Sequence, residues 1–60
     1  MKTRDRLDFA GYLRQCTDAQ VKGVWEKEKR ARRHDYARLA TDEAEARGIS
    51  TYHWKLEVTQ

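Results

Sequence analysis

The stretch TDAQVKGVWEKEKRARRHDYARLATDEAEARG, residues 17–48, fills about half of the 60-residue chain and decides its fold. It begins with Thr17 followed three residues later by Gln20, the spacing of a capping box, in which each side chain satisfies a backbone N–H at the start of a helix. It ends at Gly48, and glycine is the residue that most often ends a helix in the left-handed conformation. The sequence therefore predicts a helical segment over residues 18–47.

The apolar stripe of this segment is interrupted in its middle. At about 100° per residue, Trp25 near the start and Leu39 near the end project along the same line. Glu28 and Arg32 occupy that line between them, four residues apart and in the favourable order for an ion pair. Residues 27–34 contain no large apolar side chain. We therefore expect the centre of the segment to face water, a partner or a polyanion.

Two arrangements satisfy this pattern. In the first, one continuous helix extends over residues 18–47. In the second, the chain bends near His34 and Asp35, and Asp35 caps a third helix that folds back on the second. We favour the continuous helix, because neither Gly nor Pro interrupts the segment after Gly23.

A shorter helix is predicted before this segment and a strand after it. Over residues 4–16, apolar residues recur at helical spacing, and this helix runs directly into Thr17, which implies a tight corner and a helical hairpin. Over residues 51–58, apolar and polar residues alternate, which is typical of a β-strand with one apolar face. The predicted fold is mainly α: a helical hairpin of two or three helices with a short C-terminal β-strand, in one small domain of residues 1–60.

The predicted strand needs a mate, because a single strand leaves its backbone donors and acceptors unpaired. Three mates are compatible with the sequence: the same strand of a second copy, the N-terminal segment, or the sheet edge of a partner protein. We place the homodimer first. Large aromatic and aliphatic side chains, which are common at binding hot spots, are the predicted protein interface. They are Trp25, Tyr36, Tyr52, Trp54, Leu56 and Val58.

The chain is small and basic. Thirteen Lys and Arg side chains against ten Asp and Glu leave a net charge of +3, and Cys16, the only cysteine, has no partner for an internal disulfide. The lack of a disulfide fits a reducing cytoplasm. We expect the Cys16 thiol to pack as a small apolar group on the first helix. No apolar run approaches the roughly 20 residues that span a membrane, and the N-terminus lacks the apolar core of a signal peptide. We therefore expect a soluble cytoplasmic protein without membrane association.

No residue pattern typical of catalysis or metal binding occurs. His34, His53 and Cys16 lack the spacing of metal ligands. A nucleophile elbow, a glycine-rich phosphate loop and a characteristic pair of carboxylates are all missing from the sequence. We therefore expect no metal, no cofactor, no catalytic residues and no enzymatic activity.

The basic residues concentrate in one region. Residues 22–38 carry seven basic and three acidic side chains, a net charge of +4, whereas residues 41–48 have a net charge of −2. In a continuous helix four of the basic residues form a stripe that can follow phosphates, although the same pattern also fits a solvated helix face. These candidate nucleic-acid-binding residues are Lys22, Lys29, Arg30 and Arg33.

Residues 17–49 resemble small uncharacterised proteins encoded by phages and prophages. The resemblance rests on residues 17–21, 25–28, 35–36, 43–44 and 47–49. It implies a bacterial or phage setting, in which short proteins commonly bind a host protein and inhibit or redirect it, including defence complexes. It assigns no functional residue.

The sequence thus predicts a non-enzymatic protein-interaction module. It would bind and modulate a host or phage protein through the centre of the long helix and the aromatic strand. The alternative is a small regulatory DNA- or RNA-binding protein that uses the basic stripe.

Overall fold

Four helices make up the part of the chain that the computed structural model describes, which is residues 3–57, with the backbone alone for residues 55–57. They are α1 (Thr3–Arg14), α2 (Asp18–Arg30), α3 (His34–Ala46) and α4 (Tyr52–Glu57). α3 packs against both α1 and α2. The mainly α fold is therefore confirmed, and the hairpin has the three-helix form, extended by a short fourth helix.

The capping box at the start of α2 forms as predicted. The Gln20 backbone N–H donates to Thr17 Oγ1 over 3.2 Å, and the Thr17 backbone N–H donates to Gln20 Oε1 over 2.8 Å. Two backbone donors that the helix cannot satisfy are thereby paired. α1 ends at Arg14 rather than at residue 16, so residues 15–17 form the corner between α1 and α2.

The continuous helix over residues 18–47, which we favoured from the sequence, is wrong. α2 ends at Arg30 and α3 begins at His34, close to the bend in the alternative arrangement. Arg32 between them has a φ of 59°, in the left-handed region. Its N–H donates to Lys29 O over 3.1 Å, and the Arg33 N–H donates to Glu28 O over 2.8 Å. This pair of bonds is a Schellman motif, which ends a helix.

The same motif ends α3, at the position predicted from the sequence. Gly48 has a φ of 82°, its N–H donates to Glu45 O over 3.0 Å, and the Ile49 N–H donates to Ala44 O over 2.9 Å. Glycine adopts this conformation without a steric penalty, whereas an L-residue such as Arg32 incurs about 1–2 kcal/mol. The break after α2 is therefore imposed by packing elsewhere, since its own sequence does not favour it.

Close packing of α2 on α3 supplies the compensating energy. The residues that α3 buries are all small: Ala37, Ala40, Thr41 and Ala44. Small side chains let the backbones of two helices approach closely, and α2 fills this interface with Val21 and Trp25, which are 0% and 2% exposed. Burial of one such large apolar side chain contributes about 1.5–3 kcal/mol. Two of them outweigh the strain at Arg32.

The predicted β-strand is not present over residues 52–57, which form α4 instead. Trp54 packs on Trp25 with ring centroids 5.5 Å apart and is 6% exposed, whereas Tyr52 is 65% exposed. Alternation would have placed both on one face. The helix satisfies its backbone groups without a mate, and the contact with Trp25 favours it over the alternating pattern. The expected homodimer has no strand in these residues to use; Val58 lies outside the described residues.

Arg47 joins the ends of three helices. Its Nε donates to Glu43 Oε2 over 2.8 Å, its Nη1 donates to Asp18 Oδ1 over 2.9 Å, and its Nη2 donates to Leu13 O over 2.8 Å and to Arg14 O over 3.3 Å. The hydrogen bond to Glu43 first, and that to Asp18 second, raise the pKa of Arg47 above its ordinary value. One guanidinium thus satisfies carbonyls at the end of α1 and an acid in the first turn of α2.

Replacement of Arg32 by glycine should stabilise the protein. Arg32→Gly removes the penalty for a left-handed L-residue, at the cost of greater freedom in the unfolded chain, and we expect a net gain of about 0.5–1 kcal/mol. Urea denaturation followed by circular dichroism measures it. Lys27→Gly is the control, because glycine at an exposed position inside α2 should lower stability by about 1 kcal/mol. Equal losses in both variants would contradict the assigned backbone conformation.

Replacement of Arg47 by lysine should lower the melting temperature nearly as far as replacement by methionine. An ammonium keeps the charge but cannot reach Glu43, Asp18 and the Leu13 carbonyl together. Because the pKa of Arg47 is raised, its contribution is present wherever the side chain is charged, so the loss should be constant from about pH 6 to pH 9. Arg38→Lys on the exposed side of α3 is the control. Full rescue by lysine would show that charge alone matters.

Candidate binding site at the corner between the second and third helices

Basic side chains surround the turn between α2 and α3. We call residues 27–34 the basic corner; five of its basic side chains are exposed and that of Lys29 is partly buried. The exposed ones are Lys27, Arg30, Arg32, Arg33 and His34. The bend gathers these residues because it places the last turn of α2 beside the first turn of α3.

Arg33 is held in position by two neighbours. Its Nε lies 3.8 Å from Glu28 Oε2, and its guanidinium lies 5.8 Å from the centroid of the Tyr36 ring. Tyr36 is itself packed edge-on against Phe9 of α1, with ring centroids 4.8 Å apart. The Arg33 side chain is nevertheless 62% exposed, so it is oriented but available to a ligand. Beside it lies an open groove of about 400 Å³, lined by residues 32–36.

Glu28 is the buried acidic residue of the basic corner. The residue is 6% exposed, and its Oε2 has no hydrogen-bond partner among the described residues. The structure pairs Glu28 with Arg33 rather than with Arg32, because Arg32 leaves the helix before the expected spacing is reached. A buried carboxylate with one unsatisfied oxygen costs stability. Its remaining contribution is to orient Arg33.

The first turn of α3 is open on the same side of the molecule. Arg33 is its N-cap residue and makes no side-chain capping hydrogen bond. The N–H groups of a helix start and the positive end of its dipole favour anions. The capping role that we expected for Asp35 in the bent arrangement is therefore not observed; Asp35 lies in the first turn and is exposed.

The structure separates the predicted interface residues. Trp25 and Trp54 lie in the core of the single chain against each other, so neither is on its surface, where we had expected a partner to bind. Tyr36 is partly buried at the basic corner, and Tyr52 is exposed on α4, away from any strand. The Leu56 side chain and Val58 lie outside what the structure describes.

The predicted nucleic-acid stripe is divided by the bend. Lys22 and Lys29 lie one above the other on α2 and are partly buried, whereas Arg30 and Arg33 lie on either side of the turn. Sequence reasoning missed Arg32 as part of this surface, because a continuous helix places it on the apolar line. The positive φ, which no glycine signalled, turns it outward into solvent.

The outward surface of α3 has the opposite character. Asp42 and Glu45 are exposed there, and Asp42 also lines a groove of about 350 Å³ between α1 and α3, with Arg6 and Arg38 as its cations. Positive charge is therefore concentrated at the basic corner, whereas α3 presents mixed and negative charge. An anionic ligand should contact the corner rather than the whole molecule.

Among residues 3–54, whose side chains the structure describes, no cluster of three or more His, Cys, Asp or Glu side chains could hold a metal ion. No helix within residues 3–57 has the length and apolar character needed to cross a membrane.

Comparisons with protein-family models, with curated proteins and with solved structures give no match for this chain.

Replacement of Glu28 by methionine should stabilise the protein by about 1 kcal/mol, because it removes a buried oxygen that lacks a hydrogen bond and leaves the exposed Arg33 in contact with water. Guanidinium denaturation measures the change. Glu26→Met, the same substitution at a partly exposed position of α2, should change stability by less than about 0.5 kcal/mol. A marked loss at Glu28 would show that its contact with Arg33 contributes to folding.

Proposed function

We propose that this chain is a non-enzymatic interaction module that binds an acidic surface of a partner protein through the basic corner. The resemblance of residues 17–49 to phage-encoded proteins makes a bacterial host protein the expected partner, and modulation of that protein the expected outcome. Cytoplasmic location follows from the same expectation.

The observation that carries this proposal is the arrangement of Arg33 between Glu28 and Tyr36. Ordering a long side chain at an interface costs about 0.5–1.5 kcal/mol, and a guanidinium that is already held by a ring and a carboxylate avoids part of that cost. Arg and Tyr are also the residue types enriched at binding hot spots. Arg33 is 62% exposed, so its donors can meet a partner carboxylate.

The surrounding residues supply a polar rim. Arg30, Arg32 and His34 are exposed around Arg33, and the open groove of about 400 Å³ offers a depression next to Tyr36. The like-signed charges of Arg30 and Arg32 speed the approach of an oppositely charged partner more than they strengthen the final complex. The centre of the surface provides affinity and its rim provides association rate.

Nucleic-acid binding is the second candidate. It is favoured by three arginines exposed within four residues, Arg30, Arg32 and Arg33, beside a helix start without a side-chain cap. Each arginine can neutralise a phosphate, and the open N–H groups of α3 favour the same anion. The acidic side chains on α3 restrict such contacts to the corner, which fits a short backbone contact without base recognition.

A double charge reversal at the basic corner tests both candidates. Arg30→Glu with Arg33→Glu should reduce binding at least about tenfold, because one anion replaces a cation at the centre of the surface and another replaces a cation at its rim. The measurement is affinity capture from a bacterial host lysate, with and without nuclease treatment. Retention of a specific protein after nuclease supports the protein module, whereas a nuclease-sensitive signal supports nucleic-acid binding.

The control carries the same charge change elsewhere. Arg4→Glu with Arg6→Glu alters two exposed residues in the first turns of α1, where acidic side chains also suit the helix dipole. It should bind as the wild type does. Equal loss in both double variants would show that overall charge, and not the basic corner, determines binding, and would refute both candidates.

A further inference from the structure

The connection between α2 and α3 opposes local preference. Its middle residue, Arg32, has a φ of 59°. Residues 26–32 consist of Glu, Lys, Arg and Ala, all strong helix formers, without Gly or Pro. Local preference therefore favours continuation of the helix through the connection, whereas packing of α3 on α2 requires the turn. A short, strained hinge of this kind favours exchange of elements between two copies of a chain.

We infer that the protein forms a domain-swapped dimer with a second copy of itself. In this dimer residues 31–33 become helical, α2 and α3 join into one helix, and the α3–α4 unit of each copy packs on the α1–α2 unit of the other. The proposed function belongs to the hairpin form, because the turn that forms the basic corner is absent from this dimer.

The contacts between the two units can all form between copies. Arg47 Nη2 donates to Leu13 O over 2.8 Å, and its Nη1 donates to Asp18 Oδ1 over 2.9 Å. Phe9 packs edge-on against Tyr36 at 4.8 Å, and Trp25 packs on Trp54 at 5.5 Å. Each pair joins a residue before the hinge to a residue after it, so exchange preserves the core. The free energies of the hairpin monomer and the swapped dimer therefore differ only through the conformation of the hinge and the entropy lost on association.

Glu28 provides a second reason for the hinge to open. In the hairpin its Oε2 is buried without a hydrogen bond, and the nearest cation given by the structure, Arg33 Nε, lies at 3.8 Å. In a continuous helix Arg32 follows Glu28 by four residues, in the order that favours an ion pair. Opening thus relieves the backbone of Arg32 and brings its guanidinium within reach of a carboxylate that lacks a hydrogen bond.

The swapped dimer has a distinctive shape. A continuous helix over residues 18–46 is about 44 Å long at a rise of about 1.5 Å per residue. The longest extent of the hairpin form is 32 Å. The longest dimension of the dimer should therefore exceed the 32 Å of one hairpin and reach at least about 44 Å, and small-angle scattering measures it.

Two substitutions at one position test the proposal. Arg32→Gly favours the left-handed turn and disfavours the helix, so it should yield a monomer. Arg32→Ala retains the left-handed penalty and favours the helix, so it should remain dimeric, although it lacks the ion pair with Glu28. Both remove the same charge. Because each dimer contains two hinges, we expect their dimer dissociation constants to differ by about a hundredfold or more. Size-exclusion chromatography with light scattering over a range of concentrations measures them.

The controls keep the outcome decisive. Circular dichroism establishes that each variant is folded, and Arg32→Asn, whose side chain tolerates the left-handed conformation, provides a second hairpin-favouring variant. Loss of the dimer in Arg32→Gly and its retention in Arg32→Ala support the swap. Equal effects of the two variants, a compact wild-type dimer, or monomers at all concentrations for wild type and Arg32→Ala would overturn it.

Discussion

The left-handed conformation of Arg32 is the constraint on which the rest of the structure depends. At this residue the chain leaves α2 and returns as α3, and without the reversal the small residues of α3 would not reach Trp25. Glycine normally occupies such a position, and at Gly48 the chain uses it. Tertiary packing of α2 on α3 therefore determines the reversal at Arg32, although the local sequence favours one continuous helix.

The packing that enforces this reversal combines small side chains on α3 with the large side chain of Trp25 on α2. Alanines on α3 allow a close approach, and Trp25 fills the space between α2, α3 and the docked Trp54. Arg47 fixes the relative placement of the three helices, because its planar guanidinium donates hydrogen bonds to groups of α1, α2 and α3 at once. In a domain of this size, a few such contacts carry much of the stability. These contacts offset the repulsion between the positive charges that are concentrated at the basic corner.

The sequence specified the elements whose signals are local. The capping pair Thr17 and Gln20 and the stop at Gly48 were predicted from residue type and spacing, because their energetics depend on near neighbours. The bend at Arg32 and the helix at Tyr52–Glu57 depend on contacts distant in sequence, so the residues there gave the wrong preference. The same limit applies to the site. Charge density located the basic corner, whereas the contact of Arg33 with Tyr36 and the burial of Trp25 required the fold.

The tryptophan pair has a consequence for the photophysics of the molecule. The chain contains two tryptophans, and both lie in the core, one on α2 and one on α4, with ring centroids 5.5 Å apart. The indole emission of this protein therefore arises from a single buried pair. It reports the packing of α4 on the three-helix hairpin. Any ligand or solvent condition that displaces α4 exposes the Trp54 ring and the side of Trp25 that it covers. The protein thus carries an internal optical probe of its C-terminal docking, with no added label.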